Sequence, residues 1–81
     1  MKVNVLLFAA AREAAGANGL ALELAAGATV ADAAAELGKR LPRLAARLSA
    51  CSFAVDLEVT SGNRVLREGC ELAVLPPVSG G

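Results

Sequence analysis

Few residues in this chain could carry out chemistry unaided. It contains no histidine, which removes the Ser-His-Asp and Cys-His pairings that activate a hydroxyl or thiol. Its two cysteines, Cys51 and Cys70, form no Cys-x-x-Cys pair, and without histidine a zinc site has too few ligands, so no metal is expected. Glu68 and Glu71 flank Cys70 and disfavour a thiolate there, while Cys51 has no evident acceptor. Both are expected as reduced thiols without a chemical role, although sequence alone leaves a bridge between them open. Gly16, Gly19 and Gly27 are too scattered for a phosphate-binding loop. The eight acidic residues include no pair forced together as acid and base. A self-sufficient enzyme is therefore not expected.

What remains is the ending Pro76-Pro77-Val78-Ser79-Gly80-Gly81. The apolar run Leu72-Ala73-Val74-Leu75 before it reads as a strand, and two prolines stop that strand because proline donates no ladder hydrogen bond. The ending carries no side-chain charge, only the α-carboxylate of Gly81. Glycine has no Cβ, so such a segment can be threaded down a narrow channel toward a partner's reaction centre. The competing interpretation is a frayed terminus, which most domains possess. As a site, the segment offers Gly81 as the reacting residue and Pro76, Pro77, Val78, Ser79 and Gly80 as partner contacts. Phe53 is a further candidate anchor for the partner, equally readable as core.

The chain that must present this ending has 81 residues, enough for one domain with a modest core. Alanine supplies 19 of its residues, so a hydrophobic fraction of 56% overstates its apolar bulk. Eight basic and eight acidic residues cancel and suggest neither a nucleic-acid nor a polybasic membrane surface. Phe8 and Phe53 are the only aromatics, too few for base stacking. No apolar stretch approaches a membrane span and no signal peptide is evident, so a cytoplasmic protein is expected.

Residues 2–8 read as a strand with two mostly apolar faces. Residues 9–16 read as an alanine-rich link. Asn18-Gly19 marks a turn into a second strand through Leu20, Leu22 and Leu24, paired antiparallel to the first. Thr29 reads as the N-cap of a helix with Asp32 three residues on, where Asp makes the reciprocal bond less certain than Glu would. Val30, Ala33, Ala34, Leu37 and Leu41 form its apolar stripe. Pro42 ends that helix or opens a new turn, and helix could continue to about Leu48. Residues 52–59 alternate as one strand, with Phe53, Val55, Leu57 and Val59 inward and Asp56 and Glu58 outward. A turn at Ser61-Gly62-Asn63, a short bridge at Val65 and Leu66, a turn at Glu68-Gly69 and a strand over residues 71–75 complete the chain. The expected class is α+β, with a helix packed across one sheet face.

Several segments together resemble MoaD-like proteins, the small subunits of molybdopterin synthase. They are Lys2-Val3-Asn4-Val5-Leu6-Leu7-Phe8-Ala9 with Ala11-Arg12-Glu13, the Thr29-Val30 helix start, the strand Phe53-Ala54-Val55-Asp56-Leu57-Glu58, and the stretch Leu66-Arg67-Glu68-Gly69-Cys70 running on to Gly81. The likeness spans essentially the whole chain and is most specific in Pro-Pro-Val-Ser-Gly-Gly. It implies a β-grasp, ubiquitin-like fold with a mixed sheet and one main helix on one face, made of a domain over residues 1–75 and a flexible tail over 76–81. It also implies a sulfur carrier: an activating enzyme of the ubiquitin-activating type uses ATP to adenylate Gly81, a sulfur donor converts it to a thiocarboxylate, and the sulfur passes to a pterin precursor in a large subunit. No cofactor is bound by the chain itself. The family usually has Asn where Asp56 stands and Asp where Cys70 stands, departures in or beside turns that bear on local geometry or partner contacts and do not touch the tail. A thiazole-pathway sulfur carrier or a small protein modifier shares the fold and the Gly-Gly ending, but such relatives generally lack the Pro-Pro.

Overall fold

The structure is a computed structural model that describes residues 1–76. Its elements run β1 (Lys2–Leu7), α1 (Ala9–Ala15), β2 (Gly19–Glu23), α2 (Val30–Arg40), α3 (Pro42–Leu48), β3 (Ser52–Val55), β4 (Glu58–Thr60) and β5 (Glu71–Leu75). The strands form one sheet in the order β2-β1-β5-β3-β4. The central pair β1 and β5 is parallel, and every other pair is antiparallel.

Alternation decides which face of the sheet is covered. Val3, Val5 and Leu7 of β1 are buried and share a face, as residues two apart in a strand must. Leu22, Leu72 and Val74 join them in one cluster with Val30, Ala33 and Leu37 of α2, Leu44 of α3 and Ala11 of α1. All helices contributing to this core therefore lie on one side of the sheet, which is the β-grasp arrangement.

The α2 start matches its sequence signature in full. The Asp32 backbone N–H donates to Thr29 Oγ1 (3.3 Å), and the Thr29 N–H donates to Asp32 Oδ2 (2.9 Å). The shorter Asp thus closes a reciprocal capping box. Pro42 separates α2 from α3 and occupies the first turn of α3, where its missing N–H costs nothing. Gly19 sits where an added Cβ would collide with the Val5 carbonyl oxygen, so the first residue of β2 must be glycine.

Two expectations are corrected. The alanine-rich link is a helix, α1, closed by Gly16 in the left-handed conformation (φ 73°) whose N–H donates to the Arg12 carbonyl. Alanine's helix propensity and a glycine just past the end are sufficient cause. The supposed single strand over residues 52–59 is a hairpin of β3 and β4, and Asp56 and Leu57 form its turn with φ of 47° and 72°. Leu57 and Val59 consequently do not point inward; they are 92% and 68% exposed. The turn is held by β5: the Glu71 N–H donates to Asp56 Oδ1, and the Asp56 N–H donates to the Glu71 carbonyl, both at 2.9 Å. Val65 makes a lone antiparallel bridge to Thr29, and Leu66 beside it is buried.

Candidate functional site at the root of the C-terminal segment

β5 occupies the middle of the sheet and is hydrogen-bonded on both sides. Val74 lies opposite Leu7 of β1 and Phe53 of β3, and Leu75 lies opposite Ser52. The strand ends at Leu75, and exposed Pro76 follows it. A proline N has no hydrogen to offer the ladder, so pairing cannot extend along the chain at this point. A strand paired on both sides thus delivers the chain to the surface at Pro76. Pro77, Val78, Ser79, Gly80 and Gly81 lie outside the described residues.

Two surfaces flank this exit. The first is the sheet face that the helices leave open. Directly opposed residues in adjacent strands share a face, so the register groups Ala73 with Leu6 of β1 and Ala54 of β3, and Ala54 with Val59 of β4. Leu75 stands two residues from Ala73 on that same face. The result is a small apolar patch against the exit, with Val59 exposed on the edge strand and Phe8 partly exposed (42%) just past β1. Phe53 is not on this patch. It faces Val74 across the ladder, half-buried against the core on the helix-covered side. Of the sequence-predicted contacts, Pro76 stands at the exit itself and Phe53 lies beneath it within the fold. Sequence reasoning missed Val59, because its alternation continues unbroken through the Asp56-Leu57 turn.

The second surface is a cleft of about 280 Å³ on the helix side, lined by Ala10 and Ala11 of α1, Ala46 and Arg47 of α3, and Ala50, Cys51 and Pro76. A more polar hollow adjoins it, with Arg47 common to both and Glu13 and Arg43 at its edge. Cys51 Sγ donates to the Arg47 carbonyl at 3.3 Å. Burial pushes the Cys51 thiol up, and the nearby Arg47 guanidinium offsets this only in part. Cys70 is buried, and neither cysteine is in a disulfide. A reactive cysteine requires an accessible thiol; Cys70 is buried and Cys51 is half-buried. Among the described residues, no group of His, Cys, Asp or Glu could hold a metal ion. No helix there is long and apolar enough to cross a membrane.

One mixed five-stranded sheet with its helices on a single face defines a ubiquitin-like, β-grasp protein. The chain belongs to the ThiS family, whose model matches residues 5–81. It is 37% identical to the molybdopterin synthase sulfur carrier subunit of Chlamydomonas reinhardtii, with both chains covered in full. The corresponding Arabidopsis thaliana subunit is 36% identical over the whole of this chain and 84% of its own length. Among solved structures, SAMP1 of Haloferax volcanii superposes with a TM-score of 0.91 at 29% identity, again over the full length of both chains. A chain from the Helicobacter pylori complex of subunits 1 and 2 of molybdopterin-converting factor shares the fold, with a TM-score of 0.72 at 23% identity and full coverage of both.

Proposed function

We propose that this chain is the sulfur-carrying subunit of a cytoplasmic molybdopterin synthase, with residues 1–75 as the β-grasp domain and 76–81 as the reactive tail. The observation that carries this reading is the full-length likeness to curated sulfur carrier subunits, in a family whose model runs to Gly81 itself.

The chemistry follows from what a carboxylate lacks. Its oxygen is a poor leaving group, so attack by sulfur requires prior activation. In the proposed cycle an activating enzyme joins the Gly81 carboxylate to the α-phosphate of ATP, releasing pyrophosphate. A donor supplying sulfur at the level of sulfide then displaces AMP and leaves a thiocarboxylate. This soft anion is ionised at neutral pH and attacks a carbon of the pterin precursor, displacing the oxygen substituent on that carbon and forming a thioester to Gly81, without a general base from this chain. Water then cleaves the acyl–sulfur bond, which leaves sulfur on the pterin and restores the carboxylate. The absence of histidine is compatible with every step, because the groups that orient ATP and pterin belong to the partners.

The large subunit would rest on the open sheet face around Leu75, Ala73 and Val59, with Pro76, Pro77, Val78, Ser79 and Gly80 guiding Gly81 into its active site. Phe53 would support that surface from below by packing under β5.

One observation favours a second reading. The close superposition on SAMP1, the small archaeal modifier protein 1 of Haloferax volcanii, suits a chain whose Gly81 is joined to lysines of other proteins. Intact mass analysis of the chain purified from its own cells separates the two. Replacement of one oxygen by sulfur at Gly81 is expected, whereas isopeptide-linked adducts without any sulfur gain would establish the modifier reading instead.

A further inference from the structure

The ladder between β1 and β5 stops for two separate reasons. In a parallel pair, every second residue of a strand donates to one residue of its neighbour and accepts from the residue two further on. The Asn4 N–H donates to the Cys70 carbonyl at 2.9 Å, with Asn4 opposite Glu71, and Leu6 stands next in that series, opposite Ala73. The residue after it in the series is Phe8. Its carbonyl is the acceptor that the backbone nitrogen of residue 76 would meet. Residue 76 is a proline, so the donor is missing. The acceptor is missing too. The Phe8 carbonyl already accepts from the N–H of Ala11 at 3.0 Å and from that of Arg12 at 3.3 Å.

What turns that carbonyl away is Ala9. Phe8 is still extended (φ −130°, ψ 155°), whereas Ala9 has φ of 50°, in the left-handed region. Alanine is disfavoured there by contact between its Cβ and the backbone, and glycine would fit without penalty. Such strain persists only where the surrounding structure enforces it, and it concentrates where position matters to function. Here one strained residue ends β1, starts α1 and swings the last ladder acceptor beside residue 76 into the first turn of the helix. Ala9 is itself exposed, so replacing its side chain changes the backbone preference and little else.

We propose that the β1–α1 junction is a positioning device for Gly81, with Ala9 as the positioning residue. By taking the Phe8 carbonyl out of the ladder, it fixes the point where the chain leaves the sheet, at residue 76, independently of the proline there. If that carbonyl is released and residue 76 carries an N–H, the two pair and the point of departure moves on by one residue, ~3.3 Å. What is positioned rests on the sulfur-carrier reading; how the ladder ends does not.

The test combines Ala9→Gly and Ala9→Val with Pro76→Ala, which restores an N–H at position 76, all in the full chain. Valine resists the left-handed region through its branched Cβ, whereas glycine adopts it freely. In the first arm, hydrogen exchange of the restored amide is followed by NMR. It should exchange as an open amide with alanine or glycine at position 9, and at least about tenfold more slowly with valine there. In the second arm, sulfur transfer to the pterin precursor is timed in a single turnover, from preformed thiocarboxylate bound to the large subunit. Ala9→Val should slow transfer by no more than about twofold while Pro76 is kept, and by about tenfold or more in the Pro76→Ala background, relative to Pro76→Ala alone. Ala9→Gly should show no such dependence on residue 76. A restored amide that is already protected beside Ala9 overturns the proposal, because the acceptor is then available. An Ala9→Val effect equal in both backgrounds overturns it as well. Should Ala9→Val lose the fold by circular dichroism, the restored amide beside Ala9 decides alone. If the unaltered chain transfers no sulfur, the sulfur-carrier reading falls, and hydrogen exchange still judges the junction.

Discussion

β4 and β5 both pair with β3, yet they are opposites in every physical respect. β5 is hydrogen-bonded on two sides, with Leu72 and Val74 buried in the core. β4 has three residues at the sheet edge, begins just past a left-handed turn, and leaves Val59 to solvent. The difference shows how the fold divides its duties. A central strand packed into the core fixes where the C-terminal segment begins, at Pro76. The edge hairpin tolerates backbone strain and exposed apolar side chains, and these leave a surface available for a partner.

The contrast breaks most visibly if the centre is cut. Leu72→Ala should destabilise the fold by about 2–5 kcal/mol, because it opens a cavity in a site that is fully enclosed by neighbouring strands and helices. Urea denaturation followed by circular dichroism measures this, and a loss below about 1 kcal/mol would mean that β5 is not the anchor described.

Val59→Lys probes the edge. Stability should change by no more than about 0.5 kcal/mol, as for other exposed positions. Large-subunit affinity should weaken by about tenfold, since a charge is then placed within an apolar contact. Calorimetric titration at constant salt reads the second effect, and unchanged affinity would move the interface elsewhere.

Leu57→Gly sharpens the comparison in the opposite direction. Both turn residues have positive φ, where glycine carries no Cβ penalty, and Leu57 makes almost no contact that would be lost. The variant should be more stable by about 0.5–1 kcal/mol. A destabilised variant would show that exposed Leu57 has a packing role.

The smallest effect is expected at the thiols. Cys51→Ser together with Cys70→Ala should leave sulfur transfer from a preformed thiocarboxylate within about twofold, after correction for folded fraction. The direction of the Cys51 shift gives a companion test. A thiol whose folded pKa is raised keeps its proton to higher pH than it would unfolded, so iodoacetamide should label folded Cys51 with a pH profile displaced upward from that of the denatured chain. The same linkage predicts that any stability contribution of Cys51 holds below the unfolded thiol pKa and diminishes as pH rises past it. A profile displaced downward would restore the cysteine as a candidate sulfur relay.

How much of this was legible in the chain depended on whether local and long-range signals agreed. β5 could be delimited residue by residue because alternation, the preceding Glu68-Gly69 turn and the Pro-Pro stop all concurred. The Thr29 cap was equally plain, and its Asp32 partner completes the box despite a shorter side chain. The β3–β4 hairpin was hidden because Leu57 stands where a glycine would advertise the turn, and apolar residues at 53, 55, 57 and 59 keep alternating in the sequence although the pairing of Val55 with Glu58 moves Val59 to the opposite face. The turn is braced by the bond between Asp56 and Glu71, fifteen residues apart, which no local pattern reveals. α1 was concealed by the absence of a side-chain cap at Phe8. Arg43 and Arg47 could be read as a pair four residues apart that faces water, as both do, but the hollow beside them could not, because α1 supplies its other wall. Of the site, the strand end at Leu75 and the proline after it could be read directly, but the two surfaces beside Pro76 exist only once β1, β3, α1 and α3 are brought around it.

The central claim is that sulfur is carried on the carboxylate of Gly81, and the chain's last residue tests it most directly. The measurement is sulfur transfer to the pterin precursor by the complex of this chain with the large subunit, after ATP-dependent thiocarboxylation, for the intact chain and for one lacking Gly81. One residue displaces the reacting group by ~3.5 Å, far more than in-line chemistry in a narrow channel accommodates. Deletion should abolish transfer while circular dichroism and large-subunit binding remain those of the intact chain. Retained transfer by the shortened chain would contradict the account, because the sulfur would then travel on some group other than the terminal glycine.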